Sequence, residues 1–161
     1  KDFKKLLETM IDTELIPLSK VKKNTVFLHD GVTDLAIGLG MKEIINIFIN
    51  HLKDNYNMEA GLVTKNYAKT ILSLEEWNIK LPTIMTSFNP IGYQMNPTKE
   101  ECETHLGKTR VIAMNTLAAG YVKPNDAFSY IKNLDIDSVV VGMSKKEHII
   151  DTVTKFNEIL R

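Results

Sequence analysis

Cys102 is the only cysteine among the 161 residues, so no disulfide can form within the chain. A thiol economy of this kind points to a reducing, cytoplasmic setting. Glu100, Glu101 and Glu103 surround Cys102. Neighbouring carboxylates disfavour a thiolate, so the expectation is a structural cysteine rather than a nucleophile. There is no surplus of charge either: 20 Lys and Arg stand against 20 Asp and Glu. A balanced chain lacks the basic footprint that nucleic acid or an anionic membrane surface requires. The basic-leaning stretch Lys20 to Lys23 is broken by Val21 and reads as a solvated turn. No apolar run approaches the roughly 20 residues that span a bilayer. The remaining partner class is a small-molecule ligand.

Short β-branched runs alternate with stretches of helical periodicity. The runs are Thr25 to His29, Ala60 to Thr64, Thr83 to Phe88, Arg110 to Met114 and Ser138 to Gly142. Continuous apolar strands belong to parallel sheets. Met41, Ile44, Ile45, Phe48, Ile49 and Leu52 recur at the spacing of one helix face, as do Ile149, Ile150, Val153, Phe156 and Leu160. Thr98 to Glu101 and Ser144 to Glu147 match the capping box, and Pro97 and Pro124 stand near expected helix starts. Asn55 to Asn57 and Leu134 to Asp137 read as returns to the next strand.

Strand starts fall 35, 23, 27 and 28 residues apart. A (β/α)₈ barrel of about 250 residues uses about 31 per unit. A doubly wound sheet would carry a glycine-rich turn after its first strand, and no G-x-G-x-x-G follows any run; Gly38 and Gly40 lie too far past the first. The expected fold is therefore a TIM-type (β/α)₈ barrel, residues 1–161 forming one domain that holds the five C-terminal βα units. Five strands cannot close such a barrel. The helical stretch Phe3 to Leu15 would follow a strand outside this sequence, so N-terminal units, a second chain or a homo-oligomer is expected to complete it.

Four stretches carry a family resemblance. Val26 to His29 looks like a fourth strand ending in His. Ser87 to Ile91 is similar to a sixth-strand aromatic-Asn-Pro-aliphatic run. Arg110 to Met114 with Leu117 to Gly120 looks like a seventh strand and its glycine, and Ser138 to Lys145 like an eighth strand with a nucleotide-phosphate loop. Together, from about Thr25 to Thr152, they resemble the C-terminal half of the aldo/keto reductases. That resemblance implies a barrel oxidoreductase using NADP. Departures from the family pattern are specific. The family's catalytic Asp, Tyr and Lys lie on units this sequence does not contain. Its Ser-Asn pair on the fifth strand reads Val63-Thr64, its sixth-strand Gln reads Met85, its stacking aromatic reads Met114 or Asn115, and its Glu-Asn pair reads Asp151-Thr152. Each departure removes a contact that nicotinamide would use. Leu28 to Asp34 and Phe88 to Asn96 also resemble uncharacterised barrels distantly related to the reductases, which imply no defined activity.

Barrel chemistry sits at the C-terminal ends of strands. Those ends present His29, Asp30 and Asp34; then Thr64, Lys65 and Asn66; then Ser87, Asn89 and Tyr93; then Asn115 and Thr116; and last Ser144 and Lys145. A strand-end His works as acid or base near neutral pH, which makes His29 the leading catalytic candidate. Asp30 and Asp34, read across a turn at Gly31, are candidates to orient it. Both also carry the donor types of a divalent-ion site, although no metal is assigned, and Asp34 can equally cap the next helix. Lys65 is the fourth catalytic candidate, as a Schiff-base or anion-holding lysine, with a solvated loop lysine as its plainer reading. Gly142, Ser144 and Lys145 form the expected anion site, a glycine permitting close approach beside the N–H groups of a helix start. Asn89 and Asn115 are the neutral hydrogen-bonding candidates for a cofactor or other polar ligand. The expected function is action on, or binding of, a small polar carbonyl or phosphate compound, with His29 as acid/base. The alternative is a non-redox lyase or isomerase, or a binding protein without nicotinamide.

Overall fold

The computed structural model describes residues 2–160. Helix α1 (Phe3–Leu15) leads into β1 (Thr25–Leu28), α2 (Asp30–Gly38) and α3 (Lys42–Tyr56). There follow β2 (Glu59–Thr64), α4 (Tyr67–Glu76), β3 (Thr83–Ser87) and α5 (Lys99–Thr104). The chain ends with β4 (Val111–Met114), α6 (Pro124–Lys132), β5 (Ser138–Val139) and α7 (Lys146–Leu160).

Local chemistry explains most of these boundaries. Asp2 caps α1 by accepting the Lys5 N–H at 3.3 Å. Asn57 ends α3 in the left-handed region at φ 50°, and the Met58 N–H closes back on the Leu52 carbonyl at 3.2 Å. Thr98 caps α5 by accepting the Glu101 N–H at 3.1 Å, while its hydroxyl donates to the Glu101 carboxylate. Pro124 occupies the first turn of α6, where a missing N–H costs nothing. Ser144 does not cap α7: the Ile149 N–H bonds the Lys145 carbonyl at 3.0 Å, which puts the cap one residue later than the capping-box pattern predicts.

All five strands form one parallel sheet in the order β1-β2-β3-β4-β5. Each strand is added beside its predecessor on the same side. A doubly wound sheet would reverse direction at a switch point, and none occurs. The register is equally regular: Leu62 pairs with Ile84 and Ile84 with Val111, so these three share one face. That face and the helices make one core of Leu62, Ile84, Val111 and Ala113 with Ile45, Phe48, Leu52, Tyr67, Ile71 and Leu74. Each large side chain buried in this way contributes roughly 1.5–3 kcal/mol.

The other face is different. Phe27, Val63, Met85, Ile112 and Met114 are only half-buried. Gly61 lies opposite Phe27, and a Cβ there would stand 2.3 Å from the Phe27 ring. This close approach is why β2 carries a glycine. A one-sided coat of helices over a sequentially ordered parallel sheet of alternating βα units is consistent with part of an α/β barrel-like fold. Among the described residues β1 pairs only with β2, and β5 only with β4.

One expectation fails locally. Asp30, Gly31 and Asp34 lie in α2, which starts directly after β1, and not in a turn. Its buried face is Thr33, Ala36 and Ile37, while Val32, Leu35 and Leu39 point outward. With apolar residues on both faces, no clean amphipathic stripe announces this helix.

Candidate functional site at the carboxyl ends of the strands

His29 directly follows β1 and is the N-cap of α2. Its side chain is 82% exposed, and Nδ1 stands 2.9 Å from Oδ1 of Asp30, whose side chain is 18% exposed. The Gly31 N–H points at both, 2.9 Å from Asp30 Oδ1 and 3.1 Å from His29 Nδ1. The ring accepts the Gly31 N–H at Nδ1, and the Asp30 carboxylate stands beside it as a charged neighbour. On the far side of the carboxylate, Lys65 Nζ lies 3.2 Å from Asp30 Oδ2. Burial pushes the Asp30 carboxyl up, but the bonds from Lys65 and the Gly31 N–H and the nearby charges outweigh it, leaving the group below the usual carboxylate range. Three of the four catalytic candidates therefore meet in one row: His29, Asp30, Lys65.

Asp34 does other work. Instead of facing His29 or capping α3, its carboxylate accepts the Thr64 hydroxyl and, at 3.0 Å, the Lys65 N–H. It ties α2 to the end of β2. Among the described residues no three His, Cys, Asp or Glu side chains converge as a metal's ligands would. The donor set His29, Asp30 and Asp34 is thus pulled apart, with one carboxylate on the lysine side chain and the other on its main chain. Thr64 is buried, its hydroxyl also accepting the Asn66 N–H at 2.9 Å and lying 3.0 Å from Thr70.

The polar candidates of β3 and β4 are drawn into loop contacts. Asn89 is fully buried; its amide donates to the Tyr93 carbonyl at 2.8 Å and accepts the Tyr93 N–H at 2.7 Å. It pins the loop after β3 and presents no exposed atom to a ligand. Asn115 donates to the Ser87 hydroxyl at 2.9 Å and to the Gln94 side-chain oxygen at 3.0 Å. Asn96, which no sequence pattern marked, donates to the Lys65 carbonyl at 2.9 Å.

Beyond Asn115 the mouth opens. A cleft of about 370 Å³ lies between residues 115–120 and 140–142, with His148 of α7 beside it. Gly142 lines it; Ser144 and Lys145 are exposed and stand outside its walls. Thr116 is 1% exposed and also lines the cleft. Its hydroxyl is buried without a hydrogen-bond partner among the described residues. The wall is strained as well: Asn115, Ala118 and Ala119 have φ of 54°, 45° and 56°. Non-glycine residues held in this region cost on the order of 1 kcal/mol each and concentrate at ligand sites.

One polar cluster lies away from the mouth. Asp12 of α1 accepts the Tyr56 hydroxyl at 2.6 Å and faces His51 Nε2 at 2.6 Å, both from α3. The Tyr56 and His51 bonds hold the Asp12 carboxyl below its ordinary value, against the effect of burial, and the Asp12 carboxylate, with burial, pushes the Tyr56 phenol up. A legible signal for this pin exists in the sequence: His51 interrupts the apolar face of Ile44, Ile45, Phe48 and Leu52. Cys102 is buried, and burial chiefly, with the three flanking glutamates, pushes its thiol up to about 11, consistent with a structural role. No helix among the described residues is long and apolar enough to cross a membrane. No protein-family model matches the chain, and no curated protein resembles it at a significant level.

Proposed function

We propose that this chain forms part of a TIM-type (β/α)₈ barrel related to the aldo/keto reductases and acts on a small polar carbonyl or phosphate compound, with His29 as acid/base. Further βα units, from another segment or a second chain, close the barrel. The observation that carries this reading is the placement of Asp30 between His29 and Lys65 at the ends of β1 and β2. The Gly31 N–H on Nδ1 orients the ring beside the Asp30 carboxylate and leaves Nε2 to exchange a proton with a bound compound. Lys65 balances the Asp30 charge and offers a cation to a carbonyl or phosphate oxygen.

A second reading, a non-redox barrel without nicotinamide, has a specific observation behind it. Thr64 stands where the resemblance expects a carboxamide-binding pair, yet its hydroxyl is already bonded to Asp34 and buried. NADP would find no free donor or acceptor there.

Titration separates the readings. NADPH, NADH, inorganic phosphate and dihydroxyacetone phosphate are added in turn, following nucleotide fluorescence and the His29 imidazole resonances. Micromolar NADPH binding supports a reductase. A His29 response to the phosphate compounds alone supports the non-redox barrel. If the His29 ring responds to none of the four, its acid/base role is wrong.

A further inference from the structure

Lys65 is held at three points. Its N–H donates to Asp34 Oδ2 at 3.0 Å, its carbonyl accepts from Asn96 Nδ2 at 2.9 Å, and its ammonium lies 3.2 Å from Asp30 Oδ2. Both main-chain partners are 31 residues away in sequence, in opposite directions. Asn96 is itself anchored: its carbonyl accepts the Cys102 thiol of α5 at 3.3 Å. A continuous chain of hydrogen bonds thus runs from α5 through Asn96 and Lys65 to Asp34 on α2.

We propose that Asn96 and Asp34 are positioning residues for Lys65, gripping its main chain so that its ammonium is delivered to Asp30 at the mouth, ready for a carbonyl or phosphate oxygen. Asn96 lies on the surface, where a neutral hydrogen bond adds little to stability. What it does alter is geometry, because it closes the turn after β2 against the loop after β3. Lysine carries about 2 kcal/mol of rotamer entropy, and an ion pair at an exposed site is weak when its stem starts from a mobile backbone. Fixing the backbone on both sides of the residue removes part of that freedom before any ligand arrives. The proposal rests on the reading of the mouth given above only for the ligand that the lysine serves.

The test is limited acetylation of the full chain with an N-hydroxysuccinimide ester at fixed pH, scored by peptide mass spectrometry. Lys69 and Lys80, both exposed, serve as internal references. Asp30→Asn, which breaks the ion pair directly, sets the scale and raises Lys65 labelling about threefold. Asn96→Asp keeps the shape of the side chain but turns a donor into an acceptor facing the Lys65 carbonyl. It is expected to raise Lys65 labelling as far as Asp30→Asn does, with the references and the thermal midpoint unchanged. Equal labelling in Asn96→Asp and the parent overturns the proposal, as does an Asp30→Asn chain whose Lys65 reacts no faster. Inorganic phosphate added to the parent separates the two claims. If it fails to protect Lys65 although Asn96→Asp exposes it, the ligand reading falls and the positioning role stands.

Discussion

The two ends of the mouth are built on opposite plans. At the ends of β1 and β2 every charged group is matched within the protein: Asp30 by Lys65 and Gly31, and Asp34 by Thr64 and the Lys65 main chain. At the ends of β4 and β5 the backbone is strained, the cleft is open, and the Thr116 hydroxyl has no partner among the described residues. The first end is preorganised and stabilises the fold, whereas the second spends stability. A buried hydroxyl without a partner costs about 1–3 kcal/mol, a cost that a bound ligand can offset. Mutations at the two ends should therefore differ in sign.

Asp34→Ala gives the largest expected effect. It removes charge-assisted bonds to Thr64 and Lys65 and should lower unfolding free energy by about 3 kcal/mol in denaturant titrations. A loss under half of that would mean the tie between α2 and β2 is slack. Thr116→Val runs the other way, deleting the unpartnered hydroxyl at constant shape and raising stability by about 1 kcal/mol. If it destabilises instead, a partner such as buried water already satisfies the hydroxyl, and the contrast between the ends disappears.

Gly61→Ala should cost about 1 kcal/mol, because its Cβ forces the Phe27 ring off the open face of the sheet. His29→Ala should be smaller still: the ring is exposed, and the Gly31 N–H keeps its bond to Asp30, so the thermal midpoint hardly moves while any turnover is lost. The acid limb sharpens the comparison. Asp30 and Asp12 both have carboxyls held below their ordinary value of 3.8 in the folded chain. Their contribution is complete above that ordinary value and is lost as pH falls through the lower folded one. Asp30→Asn and Asp12→Asn should each flatten the fall in stability below about pH 4, and Thr116→Val should leave its slope alone.

Much of the scaffold was readable along the chain. The run Thr83 to Phe88 became β3, the periodic stretch from Met41 became α3, and Phe3 to Leu15 became α1, because β-branched runs and one-sided apolar spacing act locally. Helix α2 was not readable, since its apolar residues fall on both the buried and the exposed face. Within the site, the meeting of His29 with Asp30 follows from adjacency. The roles of Asp34 and Asn96 do not, because their partner lies 31 residues away. Ser144 and Lys145 carried the right chemistry for an anion, but α7 starts at Lys146 and leaves both outside the cleft, where His148 and Thr116 stand instead.

What the sequence determined by itself was the alternation of strands and helices, since hydrophobic period and caps depend on neighbours a few residues apart. Only the tertiary structure decided which groups at the mouth spend their hydrogen bonds on one another and which are left open. That outcome depends on register between strands and on loops from different units, and a hydrogen bond forms or fails over a few tenths of an ångström that no linear spacing encodes.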